Sequence, residues 1–250
     1  MQVAFNRRPF CFCKKSMVMI LTLDNRLLAV ASFVPLGACV ADIGTDHAYL
    51  AIYLYGERGA KKVIATDKNE GPLAAARHTI KEAGLSEKID ARLGDGLIPI
   101  EAGEVDIVCI SGMGGELIAA ILERSPDVCV GLSRLVLQPM SDASYLRRWL
   151  YDSGYHIVDE SLAEADGRIY EIAVAEHGIE PMPENALLEL GPVLCKKRPQ
   201  FFSRHADEIL ARKKRILFEM EKSERARESH KYKKIQKEIG EIMSCLNAKL

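Results

Sequence analysis

The sequence predicts an α/β fold: a mostly parallel sheet with helices on both faces, followed by an α-helical appendage. Three observations predict it. Between Cys39 and Tyr151, short apolar runs ending in Gly or Asp alternate five times with stretches of helical spacing, the signature of βα units. Two further β-like runs, Tyr155 to Ala163 and Arg168 to Glu176, flank Asp166-Gly167 without a helix between them and read as a closing antiparallel edge. After Pro199 the chain changes character, and Tyr232, Ile235, Ile239, Ile242 and Leu246 step by 3, 4, 3 and 4 residues, a heptad seam.

Each element has its own reason. Leu23 to Val34 carries apolar residues at helical spacing and is stopped by Pro35 and Gly37. Cys39 to Gly44 is a strand, and the run from His47 to Gly59 a helix. The strand ending at Asp67 is followed by a helix from Glu70 to Ala83 that Gly84 ends. Lys88 to Leu93 is a third strand, ending in Gly-Asp-Gly, and Glu104 to Ile110 a fourth, after which Gly112-Met113-Gly114-Gly115 opens a helix over Glu116 to Glu123. Leu132 to Leu137 is the fifth strand, and Ser141 is the expected cap of a helix reaching Tyr151. Pro181, Pro183 and Pro192 mark a boundary. Beyond it Ala206, Ile209, Leu210, Ile216, Leu217 and Met220 form one apolar stripe and the heptad seam another, separated by the charged segment Glu221 to Lys231, either a hinge or the solvated middle of one helix.

Composition narrows the class. With 48% apolar and 28% charged residues in 250, the chain has enough core for one domain and an appendage, which excludes a wholly disordered or fibrous protein. The net charge of -1 hides a split: 18 basic and 27 acidic residues precede Lys196, against 16 and 8 from it onward. An acidic body with a basic tail suggests a polyanionic partner for the tail; the alternative is a merely solvated charged face. Seven scattered cysteines without paired CxxC units point to reduced thiols in a cytosolic protein, and Cys11-x-Cys13 alone does not make a metal site. No metal is expected, and no segment approaches a membrane span. The apolar run after the basic N-terminus lacks a convincing cleavage site and is cut short at Asp24, so it reads as an extension rather than a signal peptide.

The strand ends carry the chemistry. Val40 to His47 has a single glycine, Gly44, instead of the G-x-G-x-x-G fingerprint, so a pyrophosphate cradle is missing and a dinucleotide is disfavoured. An acid, Asp42, with one glycine suits a ligand that carries an ammonium and no phosphate, such as S-adenosylmethionine. Asp67 ends the second strand where open α/β sheets put a carboxylate on a ribose diol, and Asp95-Gly96 ends the third where an adenine amine can be met. Taken singly, each is as well explained by turn chemistry; their order along one crevice favours the ligand. Gly112 to Gly115 allows close backbone approach or tight packing. Gln138, before Pro139, either meets a base edge or ends its strand. His47 has no Ser or Cys beside it, so hydrolase chemistry is unsupported, and His78, His156, His177, His205 and His230 read as surface residues.

Ala41-Asp42-Ile43-Gly44-Thr45-Asp46-His47-Ala48-Tyr49-Leu50, Leu93 to Leu97, Ile110 to Ile118 and Leu137 to Met140 together resemble the bacterial tRNA (adenine(22)-N1)-methyltransferase family. The resemblance runs from about Leu21 to the C-terminus. It implies a class I, Rossmann-like S-adenosylmethionine-dependent methyltransferase domain over residues 19–178 and a C-terminal helical coiled-coil appendage over 179–250; residues 1–18, outside the resemblance, read as an extension without fixed structure. By motif it implies that Asp42, Gly44, Asp46, His47, Asp67, Asp95, Gly96, Gly112, Met113, Gly114 and Gly115 hold the cofactor, and that His47, Tyr49 and Gln138 face the substrate. Asp46 is the candidate for stabilising charge on the methylated base. The partner implied is tRNA, in a cytoplasmic protein. Family members commonly read Gln-Pro-Asn where this chain has Gln138-Pro139-Met140.

The expected reaction is direct transfer to an adenine ring nitrogen, with alignment as the main source of acceleration. Two other readings stay open at this point: a small-molecule or protein methyltransferase, and a non-catalytic coiled-coil protein that retains the cofactor fold. The heptad seam closes either within one chain or between two copies in a homodimer.

Overall fold

The computed structural model describes residues 10–14 and 17–247, those before Thr22 by their backbone alone. Part of the expected extension therefore lies outside the described residues, as do the side chains of Cys11 and Cys13. Within it, β1 (Phe10–Lys14) pairs antiparallel with β2 (Met17–Leu21), Phe10 opposite Leu21. Helix α1 (Asn25–Ser32) follows, capped by Asp24, whose carboxylate accepts the Leu27 N–H at 2.7 Å.

Seven strands form the central sheet: β3 (Cys39–Ile43), β4 (Lys62–Asp67), β5 (Ile89–Leu93), β6 (Ile107–Gly114), β7 (Arg134–Ser141), β8 (Tyr155–Ala165) and β9 (Arg168–His177). Their order is β5-β4-β3-β6-β7-β9-β8; the first five run parallel and β9 is antiparallel to both neighbours. The β8–β9 turn places Asp166 at φ 49° and Gly167 at φ 76°, two successive left-handed residues, as a tight hairpin demands. Connecting helices are α2 (Tyr49–Gly56), α3 (Glu70–Glu82), α4 (Gly115–Glu123), the short α5 (Pro126–Cys129) and α6 (Ala143–Asp152).

Strand periodicity divides the core in two. Val40, Val63, Ile107 and Val136 face α1, α2 and α3, while Ala41, Ile64, Val108 and Leu135 face α4 and α6. Neighbours along each strand thus serve opposite faces, which is why these strands read as continuous apolar runs.

The chain beyond the sheet is helical: α7 (Asn185–Leu190), α8 (Pro192–Lys197), α9 (Phe202–Glu221), α10 (Glu224–Arg227) and α11 (His230–Asn247). The proline-marked boundary thus contains α7 and opens α8, with Pro192 in its first turn, where a missing N–H costs nothing. The charged segment after α9 is a hinge, and α11 runs back along α9: Tyr232 bonds Glu221 at 2.9 Å and Lys213 bonds Glu238 at 2.8 Å. The heptad seam is therefore closed within the chain, with Ile235 and Ile242 buried.

Three sequence expectations are corrected. Ser141 does not cap α6; Asp142 is the N-cap in a left-handed conformation, and the Ser141 hydroxyl is spent on the Asp142 carboxylate at 2.7 Å. Ile216 leaves the apolar stripe and is 38% exposed, whereas Lys213 is buried between Glu189 and Glu238. His205 is buried within the appendage rather than on the surface. Among the described residues no helix is long and apolar enough to cross a membrane.

Candidate cofactor and substrate site

From β3 the chain winds outward in one direction to β4 and β5 and in the other to β6 and β7, so a crevice opens at the carboxyl ends of the strands where the order reverses. A cavity of about 250 Å³ lies there, walled by Gly44, Asp67, Asn69, Asp95, Gly96, Ser111, Gly112 and Met113, with Ile43, Lys68, Gly94, Leu117 and Ile121 completing it.

At the end of β3, the Gly44 and Thr45 N–H groups both donate to the Thr66 carbonyl, at 2.8 and 2.9 Å, binding this turn to β4. Gly44 has φ +73°, and a Cβ on it would lie 2.3 Å from Met113 Cε. Asp42 sits behind this wall rather than in it: it is 3% exposed and accepts the Thr45 hydroxyl at 2.7 Å. Burial pushes its carboxyl up to about 6, against the opposing pull of the Thr45 hydroxyl, the Ala51 backbone and the Arg26 charge. Asp46 and Ala48 then adopt φ 51° and 58°. Left-handed backbone at two non-glycine residues two positions apart is uncommon and stores strain.

Asp67 is buried at the end of β4, with one carboxylate oxygen accepting the Asn69 N–H at 2.9 Å. Asp95 accepts from Arg124 at 2.9 Å. Gly96, at φ +63°, has no room for a side chain, because a Cβ would meet Ile121 at 2.7 Å. Across the crevice β6 continues past Ile110 into the glycine-rich segment, with register irregularities at Ser111, Met113 and Gly114. The glycine-rich segment thus ends the strand before the helix begins, and α4 starts at Gly115, one residue ahead of the expected Glu116.

Six of the eleven expected cofactor residues line the cavity: Gly44, Asp67, Asp95, Gly96, Gly112 and Met113. Asp46 and His47 lie at the exposed rim, where His47 stacks on Tyr49 with ring centroids 5.4 Å apart. Gly114 and Gly115 serve packing instead: a Cβ on Gly115 would lie 2.4 Å from the Asp142 carbonyl oxygen. Gln138 presents no free amide, since Oε1 accepts from Arg26 at 2.9 Å and from the Gly112 N–H at 3.1 Å, while Nε2 donates to the Pro139 carbonyl at 2.8 Å.

Sequence reasoning missed Asn69, Leu117 and Arg26, and took Ser111 only as part of the backbone loop before Gly112, not as a side chain of the site. Asn69 and Ser111 each lie one or two positions beyond a strand residue already singled out, so proximity to the strand ends was a usable signal. Arg26 lies on a helix 112 positions from its partner Gln138, and no local pattern marks it. Ser111 Oγ is buried at the cavity wall without a hydrogen-bond partner among the described residues.

A mixed seven-stranded sheet with a switch-point crevice rich in acids and glycines is the architecture of a Rossmann-like methyltransferase, and residues 23–173 match the family model described as a methyltransferase domain. The tRNA (adenine(22)-N(1))-methyltransferase of Bacillus subtilis is 38% identical over 231 residues, which cover 90% of this chain and 96% of that protein. The crystal structure of the B. subtilis m1A22 tRNA methyltransferase TrmK superposes with a TM-score of 0.80 at 37% identity, covering 90% of this chain and 97% of that one. M. capricolum TrmK in complex with S-adenosyl-homocysteine gives a TM-score of 0.78 at 27% identity, with 90% and 98% covered. The chain belongs to the tRNA (adenine(22)-N1)-methyltransferase family.

Proposed function

We propose that this protein transfers a methyl group from S-adenosylmethionine to N1 of adenine 22 in the D-arm region of tRNA. One observation carries the reading: the likeness to the B. subtilis enzyme extends over 96% of that protein, through the helical tail as well as the widely shared catalytic domain.

The crevice fits the cofactor chemically. Three glycines, Gly44, Gly96 and Gly112, admit close approach, buried Asp67 offers an acceptor, and Ser111 Oγ has no hydrogen-bond partner among the described residues. The cofactor supplies an electrophilic methyl group, and the adenine ring nitrogen accepts it on its own lone pair. No base is then required, and the chain's task is alignment. In this reading Asp67 receives the ribose hydroxyls and Asp95-Gly96 faces the adenine of the cofactor. Asp42 acts through Thr45 on the Gly44 turn at the methionine end. Asp46 at the rim stabilises positive charge developing on the base, and the stacked His47–Tyr49 pair offers a surface to the base once it is flipped from its stack. The α9–α11 hairpin, read as a coiled-coil appendage, grips phosphates with its basic face. A tRNA substrate supports a cytoplasmic location.

Incubation with labelled S-adenosylmethionine and total tRNA, followed by mapping of the modified base, tests this. Label at N1 of adenine 22 is expected. Absence of incorporation into tRNA, or turnover on a protein or small molecule alone, overturns the reading.

A further inference from the structure

We propose that Arg26 is a positioning residue for the β6–α4 wall of the crevice, acting through Gln138 on the Gly112 amide. Arg26 lies on α1, before the sheet begins, yet its Nη1 donates to Gln138 Oε1 at 2.9 Å, and the Gly112 N–H donates to the same oxygen at 3.1 Å. That oxygen has two lone pairs, and both are used. The amide cannot rotate to serve Gly112 differently, because Nε2 is committed to the Pro139 carbonyl at 2.8 Å. Gln138 is fully buried, so losing one donor leaves an acceptor that water does not readily satisfy.

Arg26 is itself held from two sides. Its guanidinium reaches Asp24 at 3.4 Å and lies over the Tyr170 ring at 5.8 Å, while Asp24 also caps α1. The far end of the relay is Gly112, whose φ of +79° leaves its peptide without the usual steric restraint. The hydrogen bond to Gln138 therefore adds a restraint on this peptide to the β6–β7 ladder, which pairs Ser111 with Gln138 and Met113 with Pro139, and Ser111 and Met113 on either side wall the cavity.

This inference rests on the methyltransferase reading, so its test includes a readout that needs no turnover. In ¹H–¹⁵N spectra of Arg26→Ala, the Gly112 amide is expected to shift and to lose protection from exchange. The kcat on tRNA should fall by about 10- to 100-fold, the cost of misplacing a reacting group, while the Kd for S-adenosylhomocysteine changes by no more than about threefold, on the order of 0.7 kcal/mol. Ethylguanidinium should restore part of the lost kcat. Arg26→Ala with Gln138→Ala should be no worse than the poorer single variant, since both break one relay. Should Arg26→Ala not fold, Arg26→Lys, which keeps the charge but not the planar fork, is read by the same measures. An unmoved Gly112 signal, multiplying losses in the double variant, or a kcat loss with no rescue overturns the proposal. Failure of the wild type to methylate tRNA counts against the function instead, and leaves the Gly112 signal to judge the relay.

Discussion

Arg147 of α6 and Glu160 of β8 form a solvent-excluded ion pair, Nε to Oε1 at 2.7 Å, with side chains 2% and 0% exposed. The other guanidinium nitrogens reach Glu171 at 2.6 Å and the Leu188 carbonyl at 3.0 Å, and Glu160 Oε2 accepts the N–H groups of Val193 and Leu194. One buried pair thus ties the sheet to α7 and α8. Removing a single partner leaves a buried charge uncompensated, so Arg147→Ala is expected to lower unfolding stability by about 3–5 kcal/mol. Urea denaturation of Arg147→Ala checks this; a loss under about 1 kcal/mol, the level of an exposed pair, would refute it.

Gly44, the single glycine after β3, and Gly115, the last of the Gly112 to Gly115 segment, differ in what surrounds them. At Gly115 the obstacle to a side chain is backbone, the Asp142 carbonyl oxygen at 2.4 Å; at Gly44 it is the flexible end of Met113. Gly115→Ala should therefore destabilise the fold strongly, by about 2 kcal/mol or more, because α4 and the β7–α6 junction must separate. Gly44→Ala should cost about 1–2 kcal/mol, for its left-handed φ, but should abolish calorimetrically detectable binding of S-adenosylmethionine by filling the crevice. Equal thermal shifts with retained binding in both variants would contradict the distinction.

The same contrast explains what was legible in the sequence. Asp67, Asp95, Gly44 and Gly96 were readable because each ends a strand, and the parallel order carries strand ends to one rim. Gly114 and Gly115 share a motif with Gly112 and yet pack against Ser141 and Asp142, since β6 runs on through Gly114 before the helix begins. Helices α7 and α8, at six residues each, are too short to show a period among prolines. Arg147 looked like one more charged residue on an amphipathic helix; its carboxylate partners lie 13 and 24 positions away on strands whose register no local pattern fixes.

Asp42 makes stability depend on pH in the direction opposite to an ordinary salt-bridged carboxylate. Its folded pKa of about 6 lies above the ordinary 3.8, so between those values the native state binds more protons than the unfolded chain. The stabilising contribution is complete below about pH 4 and is lost as pH rises through 6. Asp42→Asn removes this penalty while keeping an acceptor for the Thr45 hydroxyl. Near pH 7.5 the variant should be more stable by up to about 3 kcal/mol. Its advantage should shrink toward pH 4, measured by urea unfolding at several pH values. A pH-independent difference would show that the burial of Asp42 is not its source.

The basic tail is anchored into the core at its root, so a test of RNA binding has to use residues farther out on α9 and α11. Truncation at Pro192 is a poor probe of RNA binding, because Leu194, Cys195 and Phe202 are buried and Glu160 is anchored on the first turn of α8. Cutting there would expose core rather than remove a binding surface. Arg212, Lys214 and Lys233 are exposed on α9 and α11, away from those anchors, and their neutralisation leaves the packing intact. Substituting all three by Gln should weaken tRNA binding and flatten the slope of log K against log salt by about 0.7–0.9 for each phosphate contact removed. The affinity for S-adenosylmethionine should stay within about twofold, on the order of 0.4 kcal/mol. Filter binding across a salt series, with calorimetry for the cofactor, separates the two effects. An unchanged salt slope would move RNA contact off the hairpin, and a matched loss of cofactor affinity would dissolve the division between an acidic catalytic body and a basic binding arm.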